Sequence, residues 1–241
     1  MPGLGTLINA GGIIAGGLAG LLFGKLIKPR IQETMTCACG ICVIFLGIAG
    51  AMEYMLKAGE NGTLSSGGTM MIIASIILGA LLGEIVNIEA GLERFGGWLR
   101  KITRSEGDGG FIDGFVNASL TVCIGAMAVV GAIQDGIYGD YSTLTAKAVL
   151  DLIIIMIMTS AKGKGCIFSA IPVVIFQGVI TALSGLIEPI MTESALANLS
   201  LVGSILIFCV GVNLVWGKKV RVANFLPAIV FAVACAYLPW F

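Results

Sequence analysis

The chain of 241 residues contains no histidine, and only 12% of its residues are charged. Without histidine it lacks the commonest general base near neutral pH and the commonest metal ligand. Basic and acidic residues number 14 each, so the formal net charge is zero and no global field draws nucleic acid or a strongly charged partner. Enzymatic signatures are missing too. There is no phosphate-binding glycine loop ending in Lys-Ser/Thr, no paired-histidine metal helix and no Gly-x-Ser-x-Gly elbow. The chain reads as a non-enzyme without cofactor, metal or nucleic-acid partner.

What the sequence has in abundance is apolar residues, 57% of the total, with a mean hydropathy of +1.02. That composition does not describe a water-soluble surface. It predicts an all-α, polytopic membrane bundle. The seven cysteines, Cys37, Cys39, Cys42, Cys123, Cys166, Cys209 and Cys235, fall in or beside apolar stretches and read as small buried hydrophobes. Three close thiols at Cys37–Cys42 with no histidine disfavour a soft-metal site. The opening MPGLGTLINAGG lacks a basic n-region and a cleavage pattern, so the first apolar segment is expected to stay in the mature protein.

Runs of about 20 apolar residues suffice to cross a bilayer, and eight are found, near Leu4–Gly24, Met35–Leu56, Gly68–Ile88, Ile112–Gln134, Thr143–Ala161, Cys166–Ile187, Leu196–Trp216 and Ala223–Trp240. The charges of the connections support this count. Lys25, Lys28 and Arg30 lie in the first, Arg94, Arg100, Lys101 and Arg104 in the third, Lys162 and Lys164 in the fifth, and Lys218, Lys219 and Arg221 in the seventh. The even-numbered connections contribute only Lys57. Basic residues mark cytoplasmic loops, so a multi-pass membrane protein with both termini outside the cytoplasm is expected.

Gly12, Gly16, Gly20 and Gly24 recur every four residues and line one helix face where another backbone can approach closely. An intrachain partner is the favoured reading, and a homo-oligomer is the alternative. Leu92, Phe95, Leu99 and Ile102 give residues 89–104 the pattern of an amphipathic helix on the cytoplasmic leaflet. The glycine-rich stretch 105–110 then reads as a linker, dividing the chain into a first membrane half, 1–104, and a second, 111–241. A short match links Leu26-Ile27-Lys-Pro29 through Glu33-Thr34 with Leu186-Ile187-Glu-Pro189 through Glu193-Ser194. It relates spans one to three with spans six to eight in opposite orientation, the arrangement of inverted repeats in secondary transporters.

Charge deep in a membrane is expensive, about 2.5–3.5 kcal/mol at a helix centre on insertion scales. Asp151 and Gln177 fall near the middle of spans five and six. Lys147 stands one turn from Asp151 on the same face, an i, i+4 ion pair that can be structural or functional. Span four adds Asn117, Thr121, Gly125, Gly131 and Gln134, and its glycines allow either close packing or an opened helix whose backbone faces a cavity. Asp135 and Asp140 flank the following turn, where an ordinary turn role is favoured for each alone.

Ile8-Asn-Ala10, Leu78-Gly-Ala-Leu-Leu-Gly-Glu84, Gly131-Ala-Ile-Gln-Asp-Gly136, Gly139-Asp140 and Lys147-Ala-Val-Leu-Asp151 together resemble the YqgA/YdfK-like family of bacterial integral membrane proteins, built on a domain of unknown function. The resemblance covers nearly the whole chain. It implies an inner-membrane, transporter-like protein without an assigned substrate. Cys37, Cys39 and Cys42 lie outside the family's pattern, which further weakens a metal reading.

The function expected from the residues is secondary transport of a small solute by alternating access, coupled to a proton or sodium. The alternative is a non-transporting scaffold, assembly or sensory partner. The candidate site comprises Asp151, Lys147, Gln177, Gly125, Gly131, Gln134, Asp135, Asn117 and Thr121.

Overall fold

Long apolar runs fold here into helices despite 35 glycines, because a backbone in lipid must satisfy its polar groups within its own segment. The structure is a computed structural model that describes residues 2–24, 28–58, 63–105, 107 and 109–238. Lys25, Leu26 and Ile27 of the first connection, Glu106 and Asp108 of the linker, and Trp240 lie outside the described residues. The helices are α1 (Leu4–Gly24), α2 (Pro29–Met55), α3 (Thr69–Val86), α4 (Ile88–Ile102), α5 (Phe111–Cys123), α6 (Ala126–Tyr138), α7 (Ser142–Lys162), α8 (Ala170–Ala182), α9 (Ser184–Ile187), α10 (Glu193–Trp216) and α11 (Pro227–Cys235).

The chain is thus an all-α polytopic bundle. Among the described residues six helices are long and apolar enough to span a membrane, and the bent pair α5–α6 makes a seventh. The last apolar stretch, Val222–Cys235, is shorter. One feature lies outside the helical expectation. Two short strands, β1 (Leu56–Ala58) and β2 (Leu64–Ser66), form an antiparallel hairpin where the chain turns back after α2, in a segment too polar and glycine-rich to extend the helix.

Local chemistry sets the corners. Pro29 opens α2, where its missing N–H would have been unpartnered anyway. Pro189, its counterpart in the internal match, sits instead in a 3-10 turn, Glu188–Ile190, ahead of α10. Asn87 ends α3 and starts α4. It adopts a left-handed backbone (φ 56°), its N–H donates to the Gly83 carbonyl at 2.7 Å, and its side chain accepts the Ala90 N–H at 3.3 Å.

Packing is between distant parts of the chain. α1 lies along α7, α2 along α10, and α3 along α11, so the stretches 1–104 and 111–241 interdigitate. The glycine face of α1 meets α7 backbone in step: Gly12, Gly16, Gly20 and Gly24 abut the carbonyls of Ala148, Leu152, Met156 and Ser160. A methyl group at Gly16 would sit 2.2 Å from the Leu152 oxygen. The other helix faces carry exposed apolar side chains, such as Met70, Ile73, Ile77, Leu81 and Ile85 along α3. Such a coat fits lipid rather than water.

Phe111 and Phe115 are fully buried with Ile155, Met158 and Leu206, which places α5 at the centre. The basic connections gather at one end. Gly24 abuts Ser160, Gly165 abuts Phe111, and Lys218 pairs with Glu93 of α4. We call this the basic face.

Candidate functional site

A helix interior uses each carbonyl to accept the N–H four residues on, so a break releases acceptors. α5 stops at Cys123 and α6 restarts at Ala126, with a bend of 61° between them. Gly125 has φ 145° and ψ 150°, a conformation essentially restricted to glycine. Span four is therefore broken, and the break is at Ile124–Gly125.

The Val122 carbonyl at the end of α5 accepts the Lys147 ammonium at 2.8 Å. Lys147 also ion-pairs with Asp151 one turn along α7, and both side chains are buried. The ammonium is thus held by a carboxylate and by the partially negative end of a half-helix. The fully buried amide of Asn9, on α1, acts on the Asp151 carboxylate, and neither of its polar atoms has a partner in full hydrogen-bond geometry.

Beside the break lies a cavity of about 310 Å³. Ser119, Cys123, Ile124 and Gly125 form one wall, and Phe176 and Leu199 belong to the others. Cys123 lines the cavity and lies within electrostatic reach of both Lys147 and Asp151.

The remaining expected residues are distributed differently. Gly131 is no part of the break: a methyl there would meet Leu144 at 2.8 Å, so it serves packing of α6 on α7. Gln134 accepts the Thr143 hydroxyl at 2.7 Å, tying α6 to α7 near their turn. Thr121 donates to the Asn117 carbonyl at 2.8 Å, and Asn117 lines a small polar pocket at the basic face with Glu89, Glu93, Asp113 and Lys218. Gln177 is fully buried on α8, and neither of its polar atoms has a hydrogen-bond partner; it does not bond to Asp151.

Asp135 corrects the turn reading. α6 continues to Tyr138, so Asp135 lies inside the helix and is fully buried. Its Oδ2 accepts the N–H groups of Gly3 at 3.1 Å and Gly5 at 3.0 Å, capping α1 from another helix. Asp140 does sit in the turn. Its carboxylate accepts the Ser142 N–H at 2.9 Å, which holds the carboxyl below its usual range.

Two groups of polar residues escaped the sequence reading. Thr6 and Asn9 share a face of α1, spaced three residues apart, and are buried, the Thr6 hydroxyl without a partner. The second group fastens α4 to the connection after α10. Buried Glu89 accepts the Ala223 N–H at 3.0 Å and pairs with Lys218 at 2.9 Å, while Asn224 receives the Glu89 N–H at 2.7 Å and donates to Glu84 at 2.6 Å. Partial burial works to lower the basicity of Lys218, but its bonds to Glu93 and Glu89 outweigh it and lift the ammonium above the ordinary lysine value.

These features define a polytopic helical membrane protein with a broken span and a buried ion pair. Residues 4–237 match the family described as "Protein of unknown function (DUF554)", and the chain belongs to that family. It is similar to the "Uncharacterized membrane protein YdfK" of Bacillus subtilis (strain 168), with 29% identity over 225 residues, covering 93% of this chain and 92% of the relative. It is also similar to the "Uncharacterized protein YqgA" of Escherichia coli (strain K12), with 30% identity over 244 residues and 99% of each chain covered. No solved structure matches it significantly.

Proposed function

We propose that this protein is a secondary transporter of the bacterial inner membrane, moving a small solute by alternating access around the break in span four. One observation carries the reading: a glycine-only kink frees a carbonyl that a buried, carboxylate-paired lysine occupies, next to a cavity large enough for a small molecule. Discontinuous helices with paired charges at a cavity are the arrangement in which transporters bind substrates and ions. The cavity walls are mainly apolar, which suits a solute with an apolar body whose polar head reaches the break.

The inverted repeat read from the sequence fits the same reading, since the helix pairs it would relate, α1 with α8, α2 with α10 and α3 with α11, are in contact. With the basic face cytoplasmic, both termini lie outside, and the Lys218–Glu89–Glu93 cluster closes the inner mouth.

The test uses a variant keeping only Cys123 among the cysteines, in proteoliposomes. Alternating access predicts that a membrane-impermeant maleimide reaches Cys123 from one side at a time, and that a transported solute found by screening amino acids and organic acids protects it. Failure of labelling from both sides, with no solute raising the melting temperature, would leave the scaffold reading standing.

A further inference from the structure

The even-numbered connections hold a single basic residue, Lys57, and the fold places it at a cavity. Between the end of α2, the start of α10 and the end of α11 lies a space of about 250 Å³, whose lining includes Tyr54, Lys57, Gly68, Ser194, Asn198 and Leu201. α2 starts beside the basic face and α10 runs towards it, so this cavity lies at the opposite end of the bundle. It shares no lining residue with the cavity at the break. The Lys57 ammonium lies beside Gly67, where an added methyl would be 3.3 Å from Nζ, and Gly67 leads directly into the cavity wall at Gly68. Among the described residues that ammonium has no acidic partner. Glu53 and Glu193, next to Tyr54 and Ser194 in sequence, are exposed and do not line the cavity. Asn198 donates its amide to the Ala232 carbonyl at 3.1 Å, which leaves its Oδ1 as an acceptor. α10 begins at Glu193, so the positive end of its dipole borders the same space.

We infer that this cavity binds a small hydroxy-carboxylate anion on the face opposite the basic one, with Lys57 as its counter-charge. A lone ammonium next to a helix N-terminus favours one negative charge. Arginine, whose planar fork matches phosphate, is absent from the lining, which leaves a carboxylate as the better fit. The hydroxyls of Tyr54 and Ser194 supply further donors to it, while Asn198 Oδ1 accepts from a hydroxyl on the ligand. Lys57 is exposed, so the site is reached from water. It stands apart from the break in span four and does not rest on the transport reading.

The experiment is thermal unfolding of the purified full-length protein in sodium lactate, propionate, phosphate or chloride at equal ionic strength. An anion that binds the folded form raises the melting temperature saturably, whereas a general salt effect grows without saturating. The expected result is saturable stabilisation by lactate, a weaker effect of propionate, and phosphate no better than chloride. Lys57→Gln should lower the apparent affinity for lactate about tenfold or more, and Lys57→Arg should keep most of it. Because Lys57 is exposed and outside the ion pairs of the described residues, both variants should melt in chloride as the parent does. A loss of lactate binding is then not a loss of fold. Equal melting in all four salts overturns the inference, as does a lactate effect that survives Lys57→Gln unchanged. Stronger stabilisation by phosphate than by lactate overturns the carboxylate assignment, and equal affinity for propionate overturns the role of the ligand hydroxyl.

Discussion

Gly16 and Gly125 both place a helix-weakening residue in an apolar run, yet they do so for opposite reasons. At Gly16 the helix is regular and space is the issue, with the Leu152 carbonyl 2.2 Å from where a methyl would be. At Gly125 there is open space around the Cα, and the backbone angle alone demands glycine. One region is a tight seam and the other a kink beside a cavity. Seam defects should remove the fold and the function together, whereas kink defects should separate them.

The largest effect is expected from Gly16→Leu, which forces α1 and α7 apart along their whole contact. The variant should yield no monodisperse protein on size exclusion, and a well-behaved sample would refute the seam. Next comes Lys147→Met, which leaves Asp151 buried without its partner and should destabilise by about 3–5 kcal/mol. Adding Asp151→Asn should restore most of the melting temperature without restoring solute binding. Recovery of both would make the pair purely structural.

Gly125→Ala should cost about 1–3 kcal/mol through strain at a positive φ while weakening solute binding more than its stability loss explains. Equal losses would erase the distinction from the seam. The smallest effect concerns Lys218. Its raised basicity means that its ion pairs stabilise fully below the ordinary lysine value of about 10.4 and are lost as pH rises through the higher folded value. For a side chain this exposed the change is under about 1 kcal/mol. Melting temperature followed into the alkaline range should fall less steeply in Lys218→Met.

Some of this could be read directly from residue spacing. The run Leu4–Gly24 became α1 with those limits, because an uncharged apolar run in lipid must satisfy its backbone within one helix, whatever its glycines cost. The pair Lys147–Asp151 was visible for the same reason, being a contact within one helix turn. The location of the break was not, since glycine permits a kink without requiring one, and Gly125 and Gly131 look alike until their surroundings are known. Asp135 was misjudged because helix α6 runs further than its glycines suggest. The Glu89–Asn224–Glu84 network joins residues far apart in sequence, which no local pattern records. Thr6-x-x-Asn9 was legible in principle, as two polar residues on one face of an otherwise apolar helix.

The pairing of early helices with late ones has a consequence for biosynthesis. α1 finds its partner only after Ser142–Lys162 has been made, α2 only after Glu193–Trp216, and α3 only after Pro227–Cys235. As the chain leaves the ribosome, its first three spans enter the bilayer as bystanders, their backbones satisfied within each helix but their glycine faces turned to lipid. Assembly is therefore stepwise and is completed only at the C-terminal end, and a chain cut short before α11 would leave α3 inserted yet without its main partner, the form in which membrane quality control meets its clients.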